Sequence, residues 1–99
     1  MIMNQPPKRL DGALLVCFAE ITDAVKLTGE PTHRRHEQVL SSARALAICQ
    51  YESENNYYLF YCDGNWSVLT DTWHLNLSEA KHQAEFEYAG ITKCWSAVN

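Results

Sequence analysis

The residues best suited to chemistry in this sequence are histidines that lie beside carboxylates. His33 and His36 are three residues apart and have Glu30 and Glu37 on either side. Imidazole and carboxylate together could bind a divalent metal, but a structural zinc site needs four ligands and a catalytic one needs three. No cysteine and no third histidine lies near this pair. We therefore interpret the segment as a solvated polar loop and predict no metal site and no cofactor.

A second possible arrangement joins His74 to Asp71, three residues earlier. A carboxylate can orient an imidazole for general base catalysis. In an extended strand, however, two residues three apart point to opposite faces. No single Ser, Thr or Cys stands out as the nucleophile that such a base would activate. We predict no catalytic residue and expect a non-enzymatic protein.

Aromatic residues supply a further possibility, since a cleft lined by Tyr and Trp could bind a small molecule. Polar groups from the segment 28–36 would then lie at its mouth, and arginine could bind an anion there. A small-molecule-binding domain, or an enzyme with such a cleft, is therefore the alternative function. The residues predicted to form this cleft are Thr28, Glu30, His33, Arg34, His74 and Trp95.

The composition limits the possible partners. The chain has 99 residues, enough for one domain, and it is 46% hydrophobic and 20% charged, as globular domains are. Its formal net charge of −4 disfavours a phosphate backbone or an anionic membrane as partner. We expect no nucleic acid and no membrane. An acidic immunity-type protein that binds a basic toxin is a further alternative.

The cysteines indicate a reducing compartment. There are four, none in a C-x-x-C pair, and each lies in an apolar or strand-like run. Residues 1–10 are polar and lack the pattern of a signal peptide, so we expect reduced thiols in the cytoplasm. The apolar run at residues 13–19 is far too short to span a bilayer.

A β-hairpin is the clearest element of the predicted fold. Tyr57–Cys62 is dense in aromatic residues, and a second strand-like run, Trp66–Trp73, follows after three residues with a central glycine. Residues 13–21 and 43–52 also favour strands, although a helix is possible for both because Ala and Leu are good helix formers. Residues 1–12 are predicted to be a flexible N-terminal arm, followed by a single domain at 13–99.

A helix is predicted from Leu77 to Tyr88. Asn76 can cap its first turn, and an apolar stripe recurs at 3.6 residues per turn. Gly90 follows the helix as a residue suited to left-handed conformation. The fold class is therefore α+β, with an antiparallel sheet of about four to five strands and the C-terminal helix packed on one face.

Two apolar features point beyond a simple two-layer monomer. The strand Tyr57–Cys62 is apolar on both faces, and one helix can cover only one of them. The other face must contact the N-terminal apolar segment or a second copy of the chain. Phe86 lies roughly 160° from the helix stripe and so faces outward. A homodimer, or binding to another protein, is the leading hypothesis. The predicted interface residues are Tyr57, Leu59, Tyr61, Trp66, Trp73 and Phe86.

Several runs also carry a resemblance to a known group of proteins. They are Thr28–His33, Ala45–Tyr51, Tyr58–His74, Ala80, Gln83–Tyr88 and Trp95. In these runs the chain resembles small, mostly uncharacterised bacterial single-domain proteins of the mobile integron gene-cassette type. The resemblance implies a compact and often dimeric α+β protein, and it transfers no catalytic residue.

Overall fold

The structure is a computed structural model that describes residues 4–28, 38 and 40–98. The strands are β1 (Arg9–Leu10), β2 (Ala13–Glu20), β3 (Lys26–Leu27), β4 (Ala45–Gln50), β5 (Tyr57–Cys62), β6 (Val68–His74), β7 (Tyr88–Ala89) and β8 (Ser96–Ala97). The helix α1 spans Leu77–Glu87, and a 3-10 helix spans Ile91–Cys94. Residues 40–42 are also helical.

The main sheet has the strand order β1-β2-β4-β5-β6, and β8 also pairs with β2. All its pairings are antiparallel, and the sheet curls into a half-barrel with α1 packed on it. The short strands β3 and β7 form a separate antiparallel pair. The predicted α+β class, with an antiparallel sheet and a helix packed on it, is confirmed, and the predicted hairpin forms one end of the sheet.

The continuous apolar run of β2 is explained by a β-bulge at Val16. Leu15 pairs with Cys49, and the next regular pair joins Cys17 to Ile48, so Val16 is the extra residue. The bulge reverses which side chains face the helix. Ala13 and Leu15 lie on the face away from α1, whereas Cys17 and Ala19 lie on the face toward it. We call these two packed faces the second core and the helix-side core.

The helix begins as the sequence predicts. The side-chain Oδ1 of Asn76 accepts a hydrogen bond from the backbone N–H of Glu79 at 2.9 Å, which satisfies one of the free donors of the first turn. Ala80 and Ala84 are fully buried against the sheet. The helix ends at Glu87, and Tyr88, predicted as its last residue, lies in β7. After β7, the chain turns at Gly90.

Gly90 has a φ of +98°, and a Cβ there would lie 3.1 Å from the carbonyl oxygen of Ala24. Both the left-handed backbone and the close approach favour glycine at this position. The turn allows β7 to pair with β3, where Tyr88 lies opposite Leu27. The helix-side core is thereby closed at the C-terminal end of α1.

The hairpin turn differs from its predicted form. The second strand begins at Val68 instead of Trp66, and Trp66 itself has a φ of +64°. A positive φ is unfavourable for a bulky residue. It is offset because the indole folds back over the sheet, where Trp66 packs edge-on against Phe18 with ring centroids 5.8 Å apart. The Trp66 Nε1–H also donates a hydrogen bond of 2.7 Å to the carbonyl oxygen of Asn4.

The second core consists of small side chains from the inner strands, covered by larger ones. Ala45, Ala47 and Cys49 of β4 are fully buried, and they leave room for Phe60 and Trp66 to lie across the curled sheet. The apolar second face of β5 is therefore covered within the chain.

The sheet extends to the N-terminal side of the predicted domain boundary at residue 12. Leu10 is 4% exposed and belongs to the second core, and β1 pairs with β2 through Leu10 opposite Ala13. The packed domain therefore begins at β1, because its short strand continues the sheet and its leucine fills the curl. Residues 1–3 lie outside the described part of the chain.

Candidate functional surface at the β6 edge

Strand β6 lies at one end of the sheet order. Successive side chains of β6 point alternately to the two faces of the sheet. Asp71 and Trp73 point to the side of the second core, and both are exposed, with Trp73 at 53%. Thr72 and His74 point to the helix side and are half-buried. Pairing opposite β5 sets this alternation, since Trp73 lies opposite Tyr58 and His74 lies opposite Tyr57.

A second β-bulge lies at the start of β6. Tyr61 pairs with Thr70 and Cys62 pairs with Val68, which leaves Leu69 as the extra residue. Leu69 is 40% exposed. The bulge is confined to this end, so the strand from Thr70 to His74 is regular.

The opposite edge of the sheet is arranged differently. The outer side of β2 pairs with β1 at Leu14 and with β8 at Cys17 and Phe18. The N–H of Val98 adds a bond of 3.0 Å to the carbonyl oxygen of Val16. Two segments of the chain itself therefore cover that edge. Among the described residues, none is paired with the outer edge of β6.

The helix and β6 together enclose a shallow depression of about 470 Å³. Its walls are formed by His74 of β6 and by four residues of α1: Glu79, His82, Gln83 and Phe86. Phe86 is 62% exposed, as its position outside the helix stripe predicts. A second depression of about 620 Å³ lies along the neighbouring face of α1, beside Lys81, Glu85 and Thr92, and shares His82 with the first.

A hydrogen-bonded group lies beneath His74. The Thr72 Oγ1 and the His74 Nε2 are 2.7 Å apart. Farther inside, the Tyr61 hydroxyl donates a hydrogen bond to the Glu87 carboxylate. Glu87 is 3% exposed, so the helix places a carboxylate inside the helix-side core.

The pKa values of this group reflect burial. Burial lowers the pKa of the His74 imidazole, and the nearby Glu79 and Glu87 partly oppose that effect. Burial and the hydrogen bond to Glu87 raise the pKa of the Tyr61 hydroxyl, while a hydrogen bond from Thr72 acts in the opposite direction. His74 is therefore neutral near pH 7, and Tyr61 keeps its proton.

The predicted interface residues are divided by the fold. Leu59 and Tyr61 are fully buried in the helix-side core, and Trp66 is 6% exposed over the second core. These three cannot present a surface to a partner, because the sheet curls and α1 covers its other face. Tyr57 is half-buried. Trp73 and Phe86 are exposed, so the predicted interface is narrowed to them.

The predicted cleft residues are brought together only in part. The Thr28 hydroxyl donates to the carbonyl oxygen of Phe86 at 3.0 Å, and His74 lines a depression with the Phe86 side chain. Trp95 instead packs against the helix-side core, and its indole N–H is buried and has no hydrogen-bond partner among the described residues. Glu30, His33 and Arg34 lie outside the described residues.

Sequence reasoning missed two features of this surface. Leu75 is 65% exposed. It follows β6 directly and adds an apolar side chain at the end of the strand. The sequence signal for its exposure was its position immediately before the helix cap Asn76. Glu87 was missed as a buried residue. It lies within about 60° of Ala84 on the helical wheel, so the apolar stripe already placed it on the buried side.

The described residues show neither a cluster of potential metal ligands nor a membrane-spanning helix. They contain no group of three or more His, Cys, Asp or Glu side chains arranged to hold a metal ion. The helices in that part of the chain are too short or too polar to cross a membrane.

The β6 edge thus combines a strand edge that no described residue pairs with, exposed aromatic side chains and a small polar depression above a buried carboxylate. Such an arrangement can bind a strand along its edge or a small polar group in its depression. Comparison of the chain with family models, with curated proteins and with solved structures gives no match.

Proposed function

We propose that this protein is a non-enzymatic interaction module that forms a homodimer, in which β6 pairs antiparallel with β6 of a second copy. The observation that carries the proposal is the outer edge of β6, which no described strand covers. The edge strand has seven residues, Val68–His74, and two of its large hydrophobic residues, Leu69 and Trp73, are exposed.

The sequence of β6 lacks the devices that usually keep an edge strand from pairing. Monomeric proteins protect long edges with lysine, proline or very short strands. β6 contains neither lysine nor proline, and its one acidic residue is Asp71. The bulge at Leu69 is the one protective feature, and it leaves the strand from Thr70 to His74 free to pair. The backbone donors and acceptors of that segment support the proposed contact.

Symmetry restricts the pairing register. For a two-fold axis perpendicular to the sheet, residues that lie opposite each other must point to the same face. A register centred on Asp71 would oppose two carboxylates, which is destabilising. A register centred on Thr72 places the two threonines opposite each other and Trp73 opposite Asp71 of the other copy. We therefore favour the second register, with Leu75 and Phe86 flanking the paired strands.

The oligomeric state in solution tests the proposal. Sedimentation equilibrium at about 10–100 μM, well above the micromolar affinities of weak dimers, should give twice the chain mass of 11.3 kDa. Trp73→Lys puts a charge on the edge and removes an apolar contact, so it should give the monomer mass. Leu14→Lys is the matched control, because Leu14 is 39% exposed on the same sheet but lies on β2.

Two outcomes would contradict the proposal. A wild-type monomer over the whole concentration range would exclude the homodimer. A dimer that Leu14→Lys disrupts and Trp73→Lys leaves intact would move the interface to the opposite edge. Circular dichroism of both variants confirms that each keeps its secondary structure.

The cysteines bear on where such a module works. All four are free, with Cys17, Cys49 and Cys62 buried and Cys94 half-buried. Buried thiols act as small hydrophobic residues, and thiols remain reduced in the cytoplasm. We therefore place this module in the cytoplasm, as a compact bacterial protein of the gene-cassette type.

A further inference from the structure

We propose that the depression between His74 and Phe86 binds a small organic ammonium ion, with the His74 Nδ1 and the Glu79 carboxylate as its hydrogen-bond acceptors. The site does not use the backbone edge that pairs in the dimer, although Phe86 in its wall flanks the paired strands. It lies on the helix side of β6, whereas Trp73 projects from the other side.

The first step is the direction of the hydrogen bonds beneath the depression. Tyr61 donates its hydroxyl proton to Glu87, so the Tyr61 oxygen can only accept from Thr72. Thr72 has one proton. A hydrogen bond from Thr72 lowers the pKa of the Tyr61 hydroxyl, which is the effect of a donor, so this proton points to Tyr61. The Thr72 oxygen must then accept from its other neighbour, the His74 Nε2 at 2.7 Å.

This order fixes the tautomer of His74. A neutral imidazole carries one proton, and the chain assigns it to Nε2. The Nδ1 atom therefore presents a lone pair, and no hydrogen bond joins it to a described residue. Since His74 lines the depression, the buried carboxylate of Glu87 acts through Tyr61 and Thr72 to hold an acceptor at the surface.

The other walls of the depression suit a cation. Glu79 contributes a carboxylate, and Gln83 contributes an amide oxygen that can also accept. Phe86 presents an exposed aromatic ring, which attracts cations through its face. His82, the remaining wall residue, is an imidazole. Among the described residues, neither lysine nor arginine lines the depression, so the acceptors outnumber the fixed positive charges that these residues place there.

Nuclear magnetic resonance tests the two steps separately. In ¹⁵N spectra at pH 7.5, His74 should show a protonated Nε2 and an unprotonated Nδ1. Thr72→Val removes the hydroxyl at nearly constant volume and should release this preference, and Thr72→Ser should restore it. A wild-type His74 with its proton on Nδ1, or a Thr72→Val variant with unchanged shifts, would overturn the first step.

Benzylammonium is the probe for the second step, because it joins an ammonium group to a ring that can cover Phe86. We expect saturable shifts of His74 and Phe86 with a dissociation constant of about 1–10 mM, as for a small ligand with few contacts. Neutral benzyl alcohol should bind about tenfold more weakly, because it lacks the charge-assisted hydrogen bonds.

Matched variants decide whether the contact is specific. Glu79→Gln should weaken benzylammonium binding about three- to tenfold, whereas Glu20→Gln, on β2, should leave it unchanged. Trp73→Lys should retain binding even if it abolishes the dimer, so the two proposals can fail independently. An absence of saturation up to about 50 mM, well above the expected constant, would overturn this proposal. Equal weakening by Glu20→Gln would also overturn it, by indicating nonspecific attraction.

Discussion

The two faces of the main sheet are both buried, but by different means. On the helix-side face, a separate element, α1, supplies Ala80 and Ala84 against the strands, and a carboxylate, Glu87, is buried with them. On the second face the sheet curls over its own small residues, and the hairpin turn adds the Trp66 indole. The difference teaches that a two-faced apolar strand does not by itself require a partner.

The polar content of the two faces also differs. On the helix side the Tyr61 hydroxyl donates to Glu87, and the Tyr88 hydroxyl donates to the carbonyl oxygen of Leu40 at 2.6 Å. On the second face the aromatic rings contact each other, as Tyr58 does with Tyr51 at 5.4 Å and with Phe60 at 6.1 Å. Among the described residues, the fully buried side-chain hydrogen bonds therefore lie on the helix side, whereas the second face combines ring packing with partly buried bonds such as that from Trp66 to Asn4. Substitutions that separate these two kinds of contact test the comparison.

The largest effect is expected from truncating the packed side chains themselves. Leu59 and Phe60 are consecutive residues of β5, at 0% and 1% exposure, and they point to opposite faces. Phe60→Ala should lower the free energy of unfolding by about 3–5 kcal/mol, and Leu59→Ala by about 2–5 kcal/mol. Urea unfolding at one fixed protein concentration measures both. A loss below about 1 kcal/mol for Phe60→Ala would mean that the second face is not tightly packed.

A smaller effect is expected from removing single hydroxyl groups on the helix side. Tyr61→Phe removes a donor to a buried carboxylate, and such bonds contribute about 1.5–3 kcal/mol. Tyr88→Phe removes a donor to a neutral carbonyl oxygen, which contributes about 0.5–1.5 kcal/mol. The two midpoints in urea should therefore rank Tyr61→Phe as the less stable variant. The reverse order would show that Glu87 does not depend on Tyr61 for its burial.

The comparison also explains how far the sequence could predict this fold. The hairpin, the cap at Asn76 and the outward position of Phe86 follow from local patterns, and the structure confirms them. The bulge at Val16 could not be predicted, because a continuous apolar run has no period to show where it changes face. The left-handed Trp66 was missed for a related reason. Its strain is offset by contacts with Phe18 and Asn4, which are distant in sequence.

The sequence predicts less of the candidate surface than of the fold. Trp73 and Phe86 were identified from their types and positions, and both are exposed. Leu59 and Tyr61 were assigned to the same surface because the sequence cannot show which face of a strand the helix covers. The pairing of His74 with Thr72 depends on a two-residue spacing along one strand face. The sequence shows this spacing, provided that these residues are assigned to a β-strand.

The last effect, which is the one confined most clearly to the second face, concerns the ionisation of its thiols at alkaline pH. Burial raises the pKa of Cys49 and of Cys62 to about 12, with neighbouring groups adding to it. In the unfolded chain a thiol ionises near pH 8.5, at about its ordinary value. Between these values the unfolded chain has lost protons that the folded chain retains, so the free energy of unfolding must fall as pH rises. The expected slope is about 1.4 kcal/mol per pH unit for each thiol.

Urea unfolding between about pH 8.5 and 10, below the ordinary pKa of tyrosine, measures this slope. The double variant Cys49→Ala, Cys62→Ala should be less stable at neutral pH but should show a flatter decline. Cys94→Ala is the control, since Cys94 is only half-buried, and it should decline as the wild type does. An unchanged slope in the double variant would show that water reaches the second face. In that case the curl of the sheet would not close it, and a second copy of the chain would again be needed to cover the aromatic strand.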